Sequence, residues 1–155
     1  MHSTMKSNSL LIALLLSLVL LIAGCANVRT EVTGGGDLKN YKRAYVEALV
    51  EDEFQIYGAL FSELTDMGMA VVATPIKEPA ETDLIVKYAY DSGWDMTRYL
   101  QSFQFQFIEA KTGRVVTIQS YKSRGLWLGV RDGRLKTAFN ELRAKNGYPP
   151  SKQFP

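Results

Sequence analysis

Few side chains in this 155-residue sequence are suited to chemistry. It contains a single histidine, His2, and a single cysteine, Cys25, and these lie on either side of an apolar N-terminal run. The sequence after Cys25 therefore has neither an imidazole nor a thiol. This excludes Ser-His-Asp and Cys-His nucleophilic catalysis there, and zinc sites built from Cys and His. Catalysis would have to rest on carboxylate, Lys, Tyr or Ser side chains.

Two acids in the segment Asp91-Ser92-Gly93-Trp94-Asp95-Met96 are the best candidates for acid–base chemistry. Paired carboxylates catalyse proton transfer when their surroundings drive their pKa values apart. The segment also suits a binding loop, because it places two acids and an indole beside a glycine. It lacks the alternating acids and the later Glu of a calcium loop, so no metal site is expected. A strand-connecting turn, with Trp94 packed over the sheet edge, is the favoured interpretation.

The apolar run before Cys25 covers residues 10 to 23 and is interrupted only by Ser17. A helix that spans a membrane needs about 20 apolar residues, and this run has about 14. Lys6 precedes the run and small residues follow it. The pattern therefore favours a secretory signal over the alternative, a permanent transmembrane helix.

Ile22, Ala23 and Gly24, together with Cys25, resemble a bacterial lipobox. The resemblance implies cleavage after Gly24, a diacylglyceryl group on the Cys25 thiol and acylation of the new amino group. One acyl chain binds a membrane only marginally, with an association constant of about 10⁴ M⁻¹, whereas two or three chains form a stable anchor. In lipoproteins of this kind, an Asp directly after the cysteine favours retention in the inner membrane. Here Ala26 occupies that position, which resembles sorting to the outer membrane. The expected location is therefore the outer membrane, facing the periplasm.

Removing residues 1 to 24 from the 155 leaves 131, which is enough for one domain with a real core. The run of glycines at 34 to 36 disfavours regular structure, so a flexible tether is expected before the domain. The predicted organisation is a signal peptide, a lipidated cysteine with its tether, a folded domain and a C-terminal tail, at residues 1–24, 25–36, 37–148 and 149–155.

Hydrophobic periodicity in the domain predicts five strands and two helices. In the clearest strand, residues 99 to 110, three Phe residues alternate with Ser102, Gln104 and Gln106, so a Phe face is buried and a Gln face is exposed. The other strands are predicted at 41–48, 69–74, 84–90 and 115–121. One helix is predicted to open at 51–53 and end at Gly68, and the other to lie between 132–133 and 146–147.

The resulting order, βαββββα, indicates an α+β fold in a single domain. Its mainly antiparallel sheet would have about five strands, with two helices on one face. Three segments then resemble the small bacterial lipoproteins of domain of unknown function 4136. They are Tyr41-Lys42, Thr82-Asp83-Leu84-Ile85-Val86, and Phe107-Ile108-Glu109-Ala110-Lys111-Thr112-Gly113 followed by Val115-Val116. The resemblance covers most of residues 37 to 148, and it implies no activity because none is assigned to the family as a whole.

Charge is unevenly divided, with a net −7 over residues 25 to 110 and a net +8 over residues 111 to 155. Either the two regions compensate each other inside the fold, or Lys122, Arg124, Arg131 and Arg134 form an exposed basic surface. Such a surface would bind lipid head groups, lipopolysaccharide phosphates or an acidic envelope protein. Nucleic acid is not an expected partner outside the cytoplasm.

The sequence thus predicts a lipid-anchored, non-catalytic binding or scaffolding module of the cell envelope, without cofactor or metal. Two alternatives remain: a carrier of small apolar ligands, which needs a cavity between sheet and helices, and a hydrolase that uses Asp91 and Asp95. The candidate binding residues are Asp91, Trp94, Asp95, Lys122, Arg124, Arg131 and Arg134.

Overall fold

A computed structural model of the chain describes residues 26–32, 37–72, 82–123 and 131–153. A 3-10 turn at Leu38–Asn40 accompanies the regular elements. These are β1 (Ala26–Val32), β2 (Arg43–Val46), α1 (Ile56–Asp66), β3 (Ala70–Val72), β4 (Leu84–Asp95), β5 (Thr97–Glu109), β6 (Val115–Ser123) and α2 (Arg131–Lys145). Within these ranges no helix is long and apolar enough to cross a membrane.

The strands form one mixed sheet in the order β1-β6-β5-β4-β2-β3. Pairing is antiparallel from β1 through β6 and β5 to β4, whereas β2 runs parallel to both β4 and β3. Both helices pack on the same face of the sheet and share one hydrophobic core with it. The predicted single α+β domain, with two helices on one face of a mainly antiparallel sheet, is confirmed.

Strand β1 is an additional strand, and it corrects the prediction of a flexible tether for residues 26 to 32. It pairs with β6 along its whole length, from Ala26 opposite Ser123 to Val32 opposite Thr117. The backbone N–H of Thr30 donates to Glu141 Oε1 of α2 at 2.9 Å. The α2 helix therefore contacts the outer edge of β1 and helps to hold this strand in the sheet.

The β4–β5 hairpin is longer than the sequence predicted. Its pairing continues from Leu84 opposite Glu109 to Asp95 opposite Thr97, and Met96 forms the turn with a φ of 58°. Most of the segment predicted to be a connecting turn is therefore strand. Trp94 is 74% exposed, so it does not pack over the sheet edge as predicted.

Helix α1 begins at Ile56, later than the acidic residues that were predicted to open it. Asp52 nevertheless serves the helix N-terminus, because its carboxylate accepts hydrogen bonds from the N–H groups of Ile56 and Tyr57 at 2.9 and 2.7 Å. These bonds satisfy two donors that have no partner within the helix. The helix ends before Gly68, whose φ of 88° fits the predicted C-terminal glycine.

The core between sheet and helices is built on the predicted aromatic face of β5. Phe103, Phe105 and Phe107 are all buried. The rings of Phe103 and Phe105 stack with centroids 4.9 Å apart, and Phe105 stacks on Phe139 of α2 at 5.5 Å. This contact fixes α2 against the centre of the sheet.

A buried ion pair links the two helices. Arg143 of α2 and Glu63 of α1 are both buried and pair directly, and Asp66 provides a second carboxylate 2.5 Å from the Arg143 guanidinium. Arg143 also donates to the carbonyl of Pro149 at 3.0 Å, and the Ser151 hydroxyl donates to Glu63 at 2.8 Å. The residues after α2 therefore pack against both helices. Part of the basic C-terminal charge is compensated inside the fold.

Candidate functional site

The face of the sheet opposite the helices carries an open groove of about 470 Å³. Strand register aligns its side chains in rows across four strands. In one row, Asn27 of β1 lies beside Lys122 of β6, which lies beside Ser102 of β5 and then Asp91 of β4. We call this surface the outer-face groove and define it by its polar residues Asn27, Arg29, Asp91, Ser102, Gln104, Ser120 and Lys122.

The side chains of the outer-face groove are hydrogen-bonding groups of mixed charge. The Ser102 hydroxyl donates to the Asp91 carboxylate at 2.7 Å, and Gln106 donates to Gln104 Oε1 at 3.1 Å. Arg29 pairs with its strand neighbour Glu31 at 2.5 Å, on an exposed surface where ion pairs contribute little to stability. This arrangement can bind a polar surface through several hydrogen bonds.

The strand geometry does not favour the hydrolase alternative. Asp91 and Asp95 lie four residues apart on β4, so their Cα atoms are about 13 Å apart at a rise of about 3.3 Å per residue. Carboxyl pairs of glycoside hydrolases are about 5–9.5 Å apart. In the described ranges, no three acidic, His or Cys side chains are grouped to hold a metal ion.

A second depression, of about 500 Å³, lies at the opposite end of the sheet and includes Asp83 and Glu109. Burial alone would raise the pKa of Asp83. Hydrogen bonds from the N–H groups of Lys42 and Arg43 outweigh this effect, so the pKa of Asp83 is lowered overall. A hydrogen bond from the Thr112 hydroxyl is the main reason why the pKa of Glu109 is lowered. Both carboxylates stay ionised at neutral pH and accept structural hydrogen bonds, so neither is suited to act as a general acid.

The structure brings together only two of the candidate binding residues, Asp91 and Lys122, in the outer-face groove. Trp94 lies beyond the groove on the exposed end of the hairpin. The side chains of Asp95 and Arg131 are outside the described part of the structure, as are Arg124 and the lipobox residues Ile22, Ala23, Gly24 and Cys25.

Arg134 is buried, which corrects the prediction that it contributes to an exposed basic surface. Only 3% of its surface is exposed. Its guanidinium donates to the carbonyl of Leu100 and lies over the ring of Tyr99, 5.4 Å from the centroid, while its Nε has no hydrogen-bond partner among the described residues. The cause is helical spacing: Arg134 lies one turn before Ala138, on the face of α2 that packs against the sheet.

Asn27 and Arg29 were not predicted as binding residues, because they lie in a segment that was predicted to be a tether. A signal was present, since these exposed residues alternate with the more buried Val28 and Thr30. Such alternation is typical of an edge strand with one face toward the core. The glycines at 34 to 36 nevertheless favoured the prediction of a tether over that of a strand.

Comparison with known proteins identifies the fold. A PelC dodecamer from Paraburkholderia phytofirmans is similar with a TM-score of 0.51 and 16% identity, over 81% of this chain and 99% of that one. A DUF4136 family protein from Bacteroides thetaiotaomicron is similar with a TM-score of 0.53 and 14% identity, over 79% and 96%. No protein-family model and no curated protein matches the sequence. The chain thus has a fold of the DUF4136 type, as the resemblance implied.

Proposed function

We propose that this chain is a lipid-anchored, non-catalytic binding module of the bacterial cell envelope, held at the outer membrane and facing the periplasm. The outer-face groove is the observation that carries the proposal. Four strands present a polar surface there, and both helices pack on the other face. The structural similarity to a DUF4136 family protein and to PelC is compatible with such a module.

The groove favours an envelope protein as the partner over a purely anionic surface. Asp91, Arg29 and Lys122 give it both signs of charge, and amides and hydroxyls surround them. Two basic residues of the C-terminal region cannot bind an anionic partner at the surface, because Arg134 is buried and Arg143 is paired with Glu63. A protein surface offers the mixture of donors and acceptors that these side chains require.

The carrier of small apolar ligands is less well supported. It needs space between sheet and helices, where Phe103, Phe105 and Phe139 stack on one another. Leu60, Leu135 and other aliphatic side chains fill the same layer. Protein interiors packed in this way hold few voids larger than a water molecule.

Replacing Cys25 with alanine should block both lipid attachment and signal cleavage, because this thiol is the only one in the chain. Mass spectrometry of the N-terminal peptide from membranes should find a diacylglyceryl and acyl modification on wild-type Cys25. The variant should retain Met1. A wild-type protein that retains Met1, or that carries an unmodified Cys25, would contradict the anchoring proposal.

A photo-crosslinking amino acid at Gln104, in the outer-face groove, should capture an envelope protein in intact cells. The same group at Lys111 is the matched control, because Lys111 is also exposed but lies in the turn after β5, outside the outer-face groove. Adducts should form from position 104 and not from position 111. Adducts from 111 alone, or the same adducts from both positions, would show that the groove is not the binding surface.

A further inference from the structure

Strand β1 begins directly after the proposed lipid-attachment residue. Ala26 is the first residue of β1, and consecutive Cα atoms are about 3.8 Å apart, so no spacer separates Cys25 from the sheet. Ala26 pairs with Ser123, the last residue of β6. The neighbouring row runs from Lys122 through Ser102 to Asp91. An anchor at Cys25 would therefore lie at the end of the sheet from which the β4–β5 hairpin continues.

Beyond this row the hairpin continues past Ala26, the first described residue of β1, and past Ser123, the last described residue of β6. The pairs from Ser92 with Leu100 to Asp95 with Thr97 extend it to the turn at Met96. At about 3.3 Å per residue, this segment reaches roughly 13–17 Å past the start of β1. We call residues 92 to 100 the hairpin tip.

The hairpin tip exposes two large apolar side chains. Met96 is 92% exposed and Trp94 is 74% exposed, so both could transfer much of their surface to an apolar environment. Within the hairpin tip the formal charges of Asp95 and Arg98 sum to zero. Arg98 pairs with Glu53 of the neighbouring loop at 3.0 Å, which brings one further negative charge close to the tip. A tip of low net charge that carries an exposed Trp suits the membrane–water interface, where the indole places its apolar body among lipids and its N–H near the head groups.

A neighbouring loop adds apolar surface at the same end of the sheet. Val50 is fully exposed, and Leu49 is partly exposed. Two tyrosines of β4 hold this loop in place: the hydroxyl of Tyr88 accepts from the N–H of Leu49 at 3.3 Å, and that of Tyr90 accepts from the N–H of Glu53 at 3.2 Å. The exposed apolar side chains of the loop and of the hairpin tip are thus gathered at the end where β1 starts.

We propose that Trp94 and Met96 insert into the interface of the same membrane that holds Cys25, so that the domain has two membrane contacts rather than one. This inference rests on the proposed lipid anchor. With both contacts at one end of the sheet, the strands project away from the bilayer. The outer-face groove then remains accessible to a partner beside the membrane.

The test uses the full lipidated chain, purified from membranes and reconstituted into vesicles of phosphatidylethanolamine and phosphatidylglycerol. The chain has two tryptophans, so Trp127→Phe leaves Trp94 as the only one. Its emission should shift to shorter wavelength on reconstitution. Lipids brominated near the head-group end of the acyl chain should quench it, and aqueous iodide should not. The matched control is Lys111→Trp with Trp94→Phe and Trp127→Phe, whose indole at the opposite end of β5 should be quenched by iodide alone.

The outcomes distinguish the membrane contact of the hairpin tip from the lipid anchor at Cys25. If mass spectrometry finds acylated Cys25 but iodide quenches Trp94 as strongly as the control, the hairpin contact is overturned and the anchor stands. Protection of Trp94 from both quenchers also overturns it, because a protein surface or a second copy then covers the tip. An unmodified Cys25 overturns the anchor and the two-contact arrangement together.

Discussion

Arg143→Ala should lower the free energy of unfolding by about 3–5 kcal/mol, because it leaves an uncompensated buried carboxylate. Glu63 has no exposed surface, and its partners are the guanidinium of Arg143 and the hydroxyl of Ser151. Removing the guanidinium also takes a hydrogen bond from the carbonyl of Pro149 and an ion pair from Asp66. Urea denaturation of the purified variant, compared with wild type, measures the loss.

Arg98→Ala is the matched control, because Arg98 also pairs with a glutamate, Glu53, but on the exposed surface. That change should cost about 0–1 kcal/mol. The double variant Glu63→Leu with Arg143→Met should recover much of the stability, since it removes both buried charges together. Equal losses from the two arginine variants would mean that the buried pair does not join the helices as described.

Phe105→Ala should cost about 3–5 kcal/mol, the usual range for removing a buried phenyl ring. Phe105 has no exposed surface, and its ring stacks between those of Phe103 and Phe139. The cavity would open where α2 meets the centre of the sheet, and β4 and β6, which pair with β5 on either side, limit its collapse. Denaturant melts of the purified variant report the change.

Gln104→Ala is the control for this substitution, because Gln104 directly precedes Phe105 on the same strand and faces outward. An exposed side chain with one hydrogen bond to Gln106 should change stability by no more than about 0.5 kcal/mol. Losses of similar size from both variants would contradict the assignment of the two faces of β5.

The predicted parts of the fold rest on local patterns. The alternation around Phe105 predicted the buried face of β5, and Gly68 predicted a helix end that the structure confirms with a φ of 88°. The second helix was also predicted, and Leu135 and Leu142, seven residues apart on α2, are both buried as helical spacing requires. Such patterns follow from the periods of strand and helix, so a single sequence is sufficient to find them.

The features that were missed depend on residues far away in the sequence. Arg143 is buried only because Glu63, 80 residues earlier, neutralises it, and no local pattern of α2 reveals that partner. Likewise, the strand character of Ser92 and Gly93 comes from pairing with Leu100 and Tyr99 of β5. Serine and glycine are typical of turns, so the local sequence favours a shorter hairpin.

The outer-face groove could be predicted only in part. The local patterns of strand and loop predicted that Gln104 and Asp91 are exposed candidates for binding, but the groove is complete only when β1 adds Asn27 and Arg29. That addition requires the pairing of β1 with β6, whose side chains Thr30 and Gln119 are 89 residues apart. Which distant strands become neighbours is decided by the whole fold.

The contact of Glu141 with β1 has a consequence for solubility. The outermost strand of a sheet carries unpaired backbone donors and acceptors, onto which another chain can add a strand and start a fibril. In this protein the carboxylate of Glu141 occupies the N–H of Thr30 at one border of the sheet. At the other border, β3 is only three residues long. Both borders are therefore poor templates for strand addition. This would disfavour aggregation on a membrane, where the proposed lipid anchor would concentrate many copies on one surface.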